Sequence, residues 1–251
     1  MKMTNNTILI TGGSRGIGRA LAEAFHARGN HVVITGRRQS VLDDIVAGRP
    51  CFAGLELDLD NPASVRDLSR EITAGFPQLN VLIANAGIST SEDMTADDWD
   101  VSNAEAMVET NILGVLRVTA ALLPILKRRT DATFMATSSA LAFLPRADFP
   151  TYCATKAFLH SWLVSLRHQL RRVPVEVLEL SPPYVQTELT GRAQATDPRA
   201  MPLDAYVDEV MHRLERGDHP RGEVLLDRDH ARRWAERNGR YDAIFAAMNP
   251  A

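Results

Sequence analysis

The 251-residue chain is 45% apolar and 24% charged, the balance of an ordinary soluble protein that can bury a sizeable core, so intrinsic disorder is not its default state. A formal net charge of -3, with Lys and Arg spread along the chain, provides no basic footprint for nucleic acid or an anionic membrane. Length allows one or two domains, and an α/β chain of this size is routinely one, so a single domain over residues 1–251 is expected.

Short β-branched runs alternate with stretches of helical periodicity, the signature of βαβ units that build a parallel sheet covered on both faces. Thr7 to Ile10 reads as the first strand, Ile17 to Arg28 as a helix, His31 to Thr35 as the second strand and Ser40 to Ala47 as a short helix. Leu55 to Leu57 follows as the third strand, Pro62 opens the next helix at the first-turn position that suits proline, and Val81 to Ala84 forms the fourth strand. A long helix from Ala104 to Arg128, a fifth strand at Thr133 to Thr137, a helix from Thr151 to Arg172 and a sixth strand at Val175 to Leu180 complete the core. Glu223 to Leu226 reads as a last strand, and Arg232 to Met248 mixes charge with apolar positions as a surface or interface helix does. The expected fold is α/β, a Rossmann-type doubly wound three-layer sandwich around a central, mostly parallel seven-stranded sheet.

The two cysteines, Cys51 and Cys153, follow neither metal-ligand spacing nor a disulfide framework and read as packing residues in a reducing cytoplasm. His31, His160 and His168 also lack partners at metal spacing, so no metal is expected. No run reaches about 18 consecutive apolar residues, and no apolar leader with a cleavage site is visible, so neither export nor membrane anchoring is expected.

The first strand runs directly into Thr11-Gly12-Gly13-Ser14-Arg15-Gly16-Ile17-Gly18, which opens the first helix. Glycines there permit a tight turn and close backbone approach to a pyrophosphate, while the helix start offers free N–H groups and a partial positive charge. The spacing is Gly-x-x-x-Gly-x-Gly, and a glycine-rich turn taken alone also has purely structural explanations. The second strand ends in Thr35-Gly36-Arg37-Arg38, where an NAD site usually places a carboxylate on the ribose 2'-hydroxyl. A guanidinium there suits a 2'-phosphate, and Arg15 offers a second cation, so NADP(H) is the expected cofactor; solvated loop arginines are the plain alternative. Asp58 has two readings, as an acceptor for the adenine amino group or as a turn carboxylate in Asp58-Leu59-Asp60-Asn61-Pro62.

Tyr152-Cys153-Ala154-Thr155-Lys156 places a phenol and an ammonium four residues apart, on one face of a helix. A neighbouring Lys favours the phenolate by Coulomb attraction and brings tyrosine toward the range useful for acid–base chemistry. Such pairs also arise by chance on amphipathic helices.

Together these segments resemble the short-chain dehydrogenase/reductase family over nearly the whole chain. Gly12, Ser14, Arg15, Gly16, Ile17 and Gly18 lie in a segment similar to its cofactor loop, and Asn85-Ala86-Gly87 is similar to the turn that steadies the sheet beside the adenosine. Asn111, in Thr110-Asn111-Ile112-Leu113-Gly114, resembles the family's active-site asparagine, and Ser139 precedes Tyr152 by 13 residues, a spacing the family keeps. The resemblance implies that Ser139 bonds the substrate oxygen, Tyr152 transfers the proton, Lys156 bonds the nicotinamide ribose and lowers the tyrosine pKa, and Asn111 holds a water behind Lys156. It also implies cofactor contacts from Arg37, Asp58, Leu59, Pro182, Val185 and Thr187. Ser138 is the alternative serine. After the sixth strand, Ser181-Pro182-Pro183-Tyr184 departs from the family's Pro-Gly, because Pro183 fixes φ and removes a backbone donor. This segment and the surroundings of Tyr152 most resemble a bacterial subgroup labelled DltE-like.

The implied activity is reduction of a ketone or aldehyde, or the reverse, with a non-catalytic NADP-binding or redox-sensing protein as the alternative. Residues 188–215, and Glu188 to Met201 in particular, read as a substrate-side lid or as a plain surface loop. Leu141, Phe143, Leu144, Phe149 and Tyr184 flank the catalytic residues and suggest an apolar, aromatic pocket for a small-molecule substrate. The resemblance further implies a homodimer or homotetramer paired through the helices at Ala104 to Arg128 and Thr151 to Arg172.

Overall fold

The computed structural model describes residues 1–250. Seven strands, β1 (Thr7–Ile10), β2 (His31–Gly36), β3 (Phe52–Glu56), β4 (Val81–Ala84), β5 (Ala132–Thr137), β6 (Val175–Ser181) and β7 (Glu223–Leu225), form one sheet. Their order is β3-β2-β1-β4-β5-β6-β7 and every pairing is parallel. The winding reverses between β1 and β4, which opens a crevice at their carboxyl ends, the place where open α/β sheets bind ligands.

Both faces of the sheet are buried, and residues alternate between them with the period of two that a pleated strand imposes. Leu9, Val33, Leu82, Phe134 and Val177 pack toward one face, under α3 (Pro62–Gly75), α5 (Val115–Leu126) and α6 (Pro150–Gln169). Ile8, Ile10, Val32, Ile34, Ile83, Met135 and Leu178 pack toward the other, under α1 (Gly16–His26), α2 (Gln39–Val46) and α7 (Leu203–Arg216). Each fully buried side chain of this size contributes on the order of 2 kcal/mol from burial, enough to hold the carboxyl-end loops on a rigid base.

α5 continues α4 (Ser102–Val108) through a π-helical stretch at Glu109–Gly114. The length and apolar composition of Ser102–Leu126 match those of a membrane span, yet its Val115, Val118, Leu122 and Leu126 are packed in the core.

Three expected elements are corrected. β3 starts at Phe52, three residues before Leu55, with Phe52 paired to Val32. Ala53 and Gly54 carry little strand propensity, but Gly54 is required where a Cβ would lie 2.6 Å from Leu42 Cβ. The helix expected from Arg232 to Met248 is two, α8 (His230–Arg233) and α9 (Tyr241–Met248), with Gly239 at φ 64 between them. In the expected lid at 188–215, residues from Leu203 onward belong to α7, whose buried Tyr206, Val207, Val210, Met211 and Leu214 pack in the same core as α1. That part is scaffold.

Candidate active site

The glycine loop sits at the switch point. Gly12 has φ +66, and a Cβ there would lie 2.9 Å from Ala86 Cα; at Gly18 it would lie 2.4 Å from Asn85 Nδ2. Gly16 has φ +55, and its Cβ position is 3.6 Å from Thr187. The loop is therefore pressed against the Asn85-Ala86-Gly87 turn on one side and approached by the segment after β6 on the other. α1 begins at Gly16 without a side-chain cap from Arg15, so its first N–H groups are free for an anion. Thr11, which the sequence reading passed over, ties loop to turn: its hydroxyl accepts from Asn85 N at 3.0 Å and Ala86 N at 3.1 Å, and its carbonyl accepts from Asn85 Nδ2 at 3.2 Å. These close approaches leave a backbone cradle that fits a dinucleotide pyrophosphate.

Arg15 and Arg37 are exposed at the rim of this cradle. Ser14 stands beside the end of β2, its Oγ 3.3 Å from the Cβ position of Gly36. Asp58 shows its turn role, because its Oδ1 accepts from Asp60 N at 3.1 Å, while its own N–H donates to Ser64 Oγ at 3.0 Å. Leu59 is buried against Gly114, where a Cβ would lie 2.9 Å away, and its carbonyl accepts from Arg117 Nη1 at 3.3 Å. Beyond β6, Val185 is buried and its carbonyl accepts from Gln194 Nε2 at 2.7 Å, while Gln186 N donates to Met201 O at 2.8 Å. Pro182 accepts Ala140 N at 2.9 Å through its carbonyl. The segment from Pro182 to Thr187 is thus tied down at several points and spans from the end of β5 to the glycine loop.

Asn111, Ser139, Tyr152 and Lys156 converge at the carboxyl ends of β4 and β5, and all four are buried. Lys156 Nζ donates to Thr137 O at 2.8 Å and lies 5.6 Å from the centre of the Tyr152 ring, which leaves two of its three donors for other partners. The Ser139 hydroxyl accepts from Leu141 N at 3.1 Å. Asn111, inside the π-helical stretch, clamps the chain after the Asn-Ala-Gly turn: its Oδ1 accepts from Ile88 N and its Nδ2 donates to Ile88 O, both at 2.9 Å. Its Nδ2 also donates to Thr155 Oγ1 at 3.1 Å. Gly87 keeps this corner open, since a Cβ would lie 3.2 Å from Asn111 Oδ1 and 3.5 Å from Lys156 Nζ.

Burial dominates the electrostatics, contrary to the expectation that Lys156 lowers the phenol. Desolvation holds the Tyr152 pKa well above the ordinary phenol value despite the opposing influence of Ser139, and it pulls Lys156 down to about 8. At neutral pH the pair is a neutral phenol beside a largely protonated amine.

On the substrate side, Ile88, Leu141, Phe149 and Leu189 pack around Tyr152, Cys153 and Met107. Phe143, Leu144 and Tyr184 do not join them. Phe143 meets His160 edge-on at 4.9 Å, Leu144 is fully buried, and the Tyr184 hydroxyl donates to Asp197 Oδ2 at 3.2 Å. Glu92, also unforeseen, staples the loop after β4 to the start of α6: its carboxylate accepts from Thr151 N at 3.0 Å and Thr151 Oγ1 at 3.1 Å. Ser138, the alternative serine, is engaged elsewhere: its hydroxyl donates to buried Glu179 at 2.5 Å.

A dinucleotide cradle joined to a buried Ser-Tyr-Lys-Asn cluster at a parallel-sheet switch point defines a class of nucleotide-dependent oxidoreductase site. The family model described as short chain dehydrogenase matches residues 6–198, and the chain belongs to that family. It is 36% identical over 252 residues to the uncharacterized oxidoreductase DltE of Bacillus subtilis (strain 168), covering 99% of this chain and 98% of that one. Among solved structures, a short chain dehydrogenase from Burkholderia cenocepacia J2315 in complex with NADP is similar with a TM-score of 0.83 and 25% identity, covering 99% of both chains. A short chain dehydrogenase/reductase from Burkholderia phymatum in complex with NAD shares the fold with a TM-score of 0.80 and 20% identity, covering 100% of this chain and 98% of that one.

Proposed function

We propose that this protein is an NADPH-dependent reductase of ketones or aldehydes, with Tyr152 as the proton donor. The observation that carries the reading is the joining of Asn111, Ser139, Tyr152 and Lys156 in one buried cluster beside the glycine cradle. NADPH, when bound, supplies a hydride to the carbonyl carbon. The Ser139 hydroxyl donates to the carbonyl oxygen and stabilises its developing charge. Tyr152, which burial keeps protonated, releases its proton to that oxygen, and the product is an alcohol. A neutral phenol is the form that donates a proton in the direction of reduction. Lys156 would hold the nicotinamide ribose with its free donors, and Asn111 holds the Ile88 corner and α6 at fixed separation.

Preference for the phosphorylated dinucleotide rests on Arg37, exposed just after β2, and Arg15, exposed in the glycine loop, which would hold a 2'-phosphate, with no carboxylate at the end of β2. The apolar wall of Ile88, Leu141, Phe149 and Leu189 suits a carbonyl with hydrophobic bulk. Assembly as a homodimer or homotetramer is part of the same reading, supported by exposed Val108 and Leu113 on the α4–α5 helix and Phe158 and Val164 on α6. A cytoplasmic setting fits two cysteines that are free thiols.

The reading is tested by following NADPH consumption at 340 nm against a panel of ketones, aldehydes and diketones, with NADH in parallel. Turnover that favours NADPH supports it; tight NADPH binding without turnover on any carbonyl points instead to a non-catalytic sensor.

A further inference from the structure

Beneath the catalytic serine lies a fully buried carboxylate that the chemistry above does not use. Glu179 in β6 has 0% exposure. Its Oε1 accepts from Ser138 Oγ at 2.5 Å and from Ser181 Oγ at 3.3 Å, those two hydroxyls lie 3.0 Å apart, and its Oε2 faces His160 Nδ1 at 2.8 Å. A carboxylate removed from water is costly unless its oxygens are satisfied, and an apolar residue would pack this strand more cheaply. What the carboxylate adds is position. Ser138 directly precedes Ser139, and Ser181 directly precedes Pro182. One carboxylate oxygen therefore joins the points where the substrate-side serine leaves β5 and the segment 182–187 leaves β6. Main-chain bonds frame the same joint, Ser138 N to Leu180 O at 2.8 Å and Ala140 N to Pro182 O at 2.9 Å. His160 follows Lys156 by one helical turn, so the same face of α6 holds β5 through Lys156 and Thr137 O and holds β6 through His160 and Glu179. The ring of Phe143 covers His160, and Arg233 lies over that ring, 4.7 Å from its centre.

We infer that Glu179, with His160, is a positioning pair that fixes the Ser139 hydroxyl relative to Tyr152 and to the segment 182–187. The inference rests on the proposed role of Ser139, and neither Glu179 nor His160 touches the substrate. Glu179→Gln keeps the shape but replaces an acceptor by a donor on the His160 side, so the contact with Nδ1 survives only where that ring nitrogen changes from donor to acceptor, and otherwise the amide turns and a serine bond breaks. A displacement of order 1 Å at a reacting group lowers turnover up to about a hundredfold.

The experiment is a double-mutant cycle. kcat with saturating NADPH and a carbonyl substrate is measured for Glu179→Gln and for His160→Gln, each alone and combined with Ser139→Ala. NADPH affinity by fluorescence titration and the melting temperature are followed for every variant. Expected are a fall in kcat of roughly tenfold to a hundredfold for Glu179→Gln, unchanged NADPH affinity, and no further loss once Ser139 is already Ala. If Glu179→Gln does not fold, His160→Gln, which leaves the carboxylate bonded to both serines, carries the cycle with a smaller loss. Equal losses with and without Ser139, or no loss at all, overturn the inference while the reductase reading stands. A folded wild-type protein that binds NADPH but turns over no carbonyl removes the role of Ser139 and the inference with it.

Discussion

Replacing Lys156 by Met removes a cation from a place where burial alone pulls its pKa from 10.5 to about 8. The difference of about 2.5 units, at about 1.4 kcal/mol each, sets the cost of keeping the charged amine in the fold at about 3.5 kcal/mol. Methionine fills a similar volume without the charge but leaves Thr137 O without the bond it accepts from Nζ at 2.8 Å, an offset of about 1 kcal/mol. Lys156→Met is therefore expected to stabilise the cofactor-free protein by about 2.5 kcal/mol at pH 7 while abolishing turnover. Below pH 8 the lysine is charged in both folded and unfolded chains, and the penalty is fully present. As pH rises from 8 toward 10.5 the folded chain loses the proton first, the penalty fades, and the gap between wild type and variant closes. Urea unfolding at pH 7 and pH 10 reads both quantities, and the raised phenol of Tyr152 acts on both proteins alike. A variant less stable than wild type at pH 7, or a gap that does not change with pH, refutes the reasoning.

Arg37→Asp is expected to cost NADPH affinity at least about tenfold and to improve use of NADH, because a carboxylate repels the 2'-phosphate and accepts from a 2'-hydroxyl; kcat/KM with the two cofactors reads the switch. Gly12→Ala combines φ +66 with a Cβ 2.9 Å from Ala86 Cα, and is expected to cost about 2 to 4 kcal/mol in urea unfolding together with loss of NADPH binding. Phe158→Glu puts a charge on the exposed apolar face of α6 and is expected to shift the mass in analytical ultracentrifugation toward the monomer with little effect on the protomer's fold.

Segments whose chemistry repeats along the chain were legible before the structure. Ile8 to Ile10, Val32 to Ile34 and Val81 to Ile83 read as strands because both of their faces are buried, and the glycine loop announced its close approaches through residue type. β3 was read short because Gly54 answers to Leu42, a partner from another element, and Ala53 packs on the opposite face of the sheet. α7 carried a helical stripe at Tyr206, Val207, Val210, Met211 and Leu214, which the glycine and prolines upstream obscured. The Asn238-Gly239 pair that divides the C-terminal helices is a turn signal in plain view. At the site, spacing paired Tyr152 with Lys156 and the family resemblance added Asn111 and Ser139, but the direction of the Tyr152 shift was reversed, because sequence shows charged neighbours and not the depth of burial. Glu179 was invisible for a related reason. Its partners Ser138 and His160 lie 41 and 19 residues away and meet it only across β5, β6 and α6.

Transfer of label from NADPH carrying deuterium at both C4 positions to a carbonyl substrate, followed by mass spectrometry of the alcohol, tests the central claim most directly. Wild-type protein is expected to place deuterium on the former carbonyl carbon, while Tyr152→Phe binds the cofactor with similar affinity and yields no labelled alcohol. Labelled alcohol formed equally fast by Tyr152→Phe, or an alcohol from wild type without the label, would contradict hydride transfer with Tyr152 as proton donor.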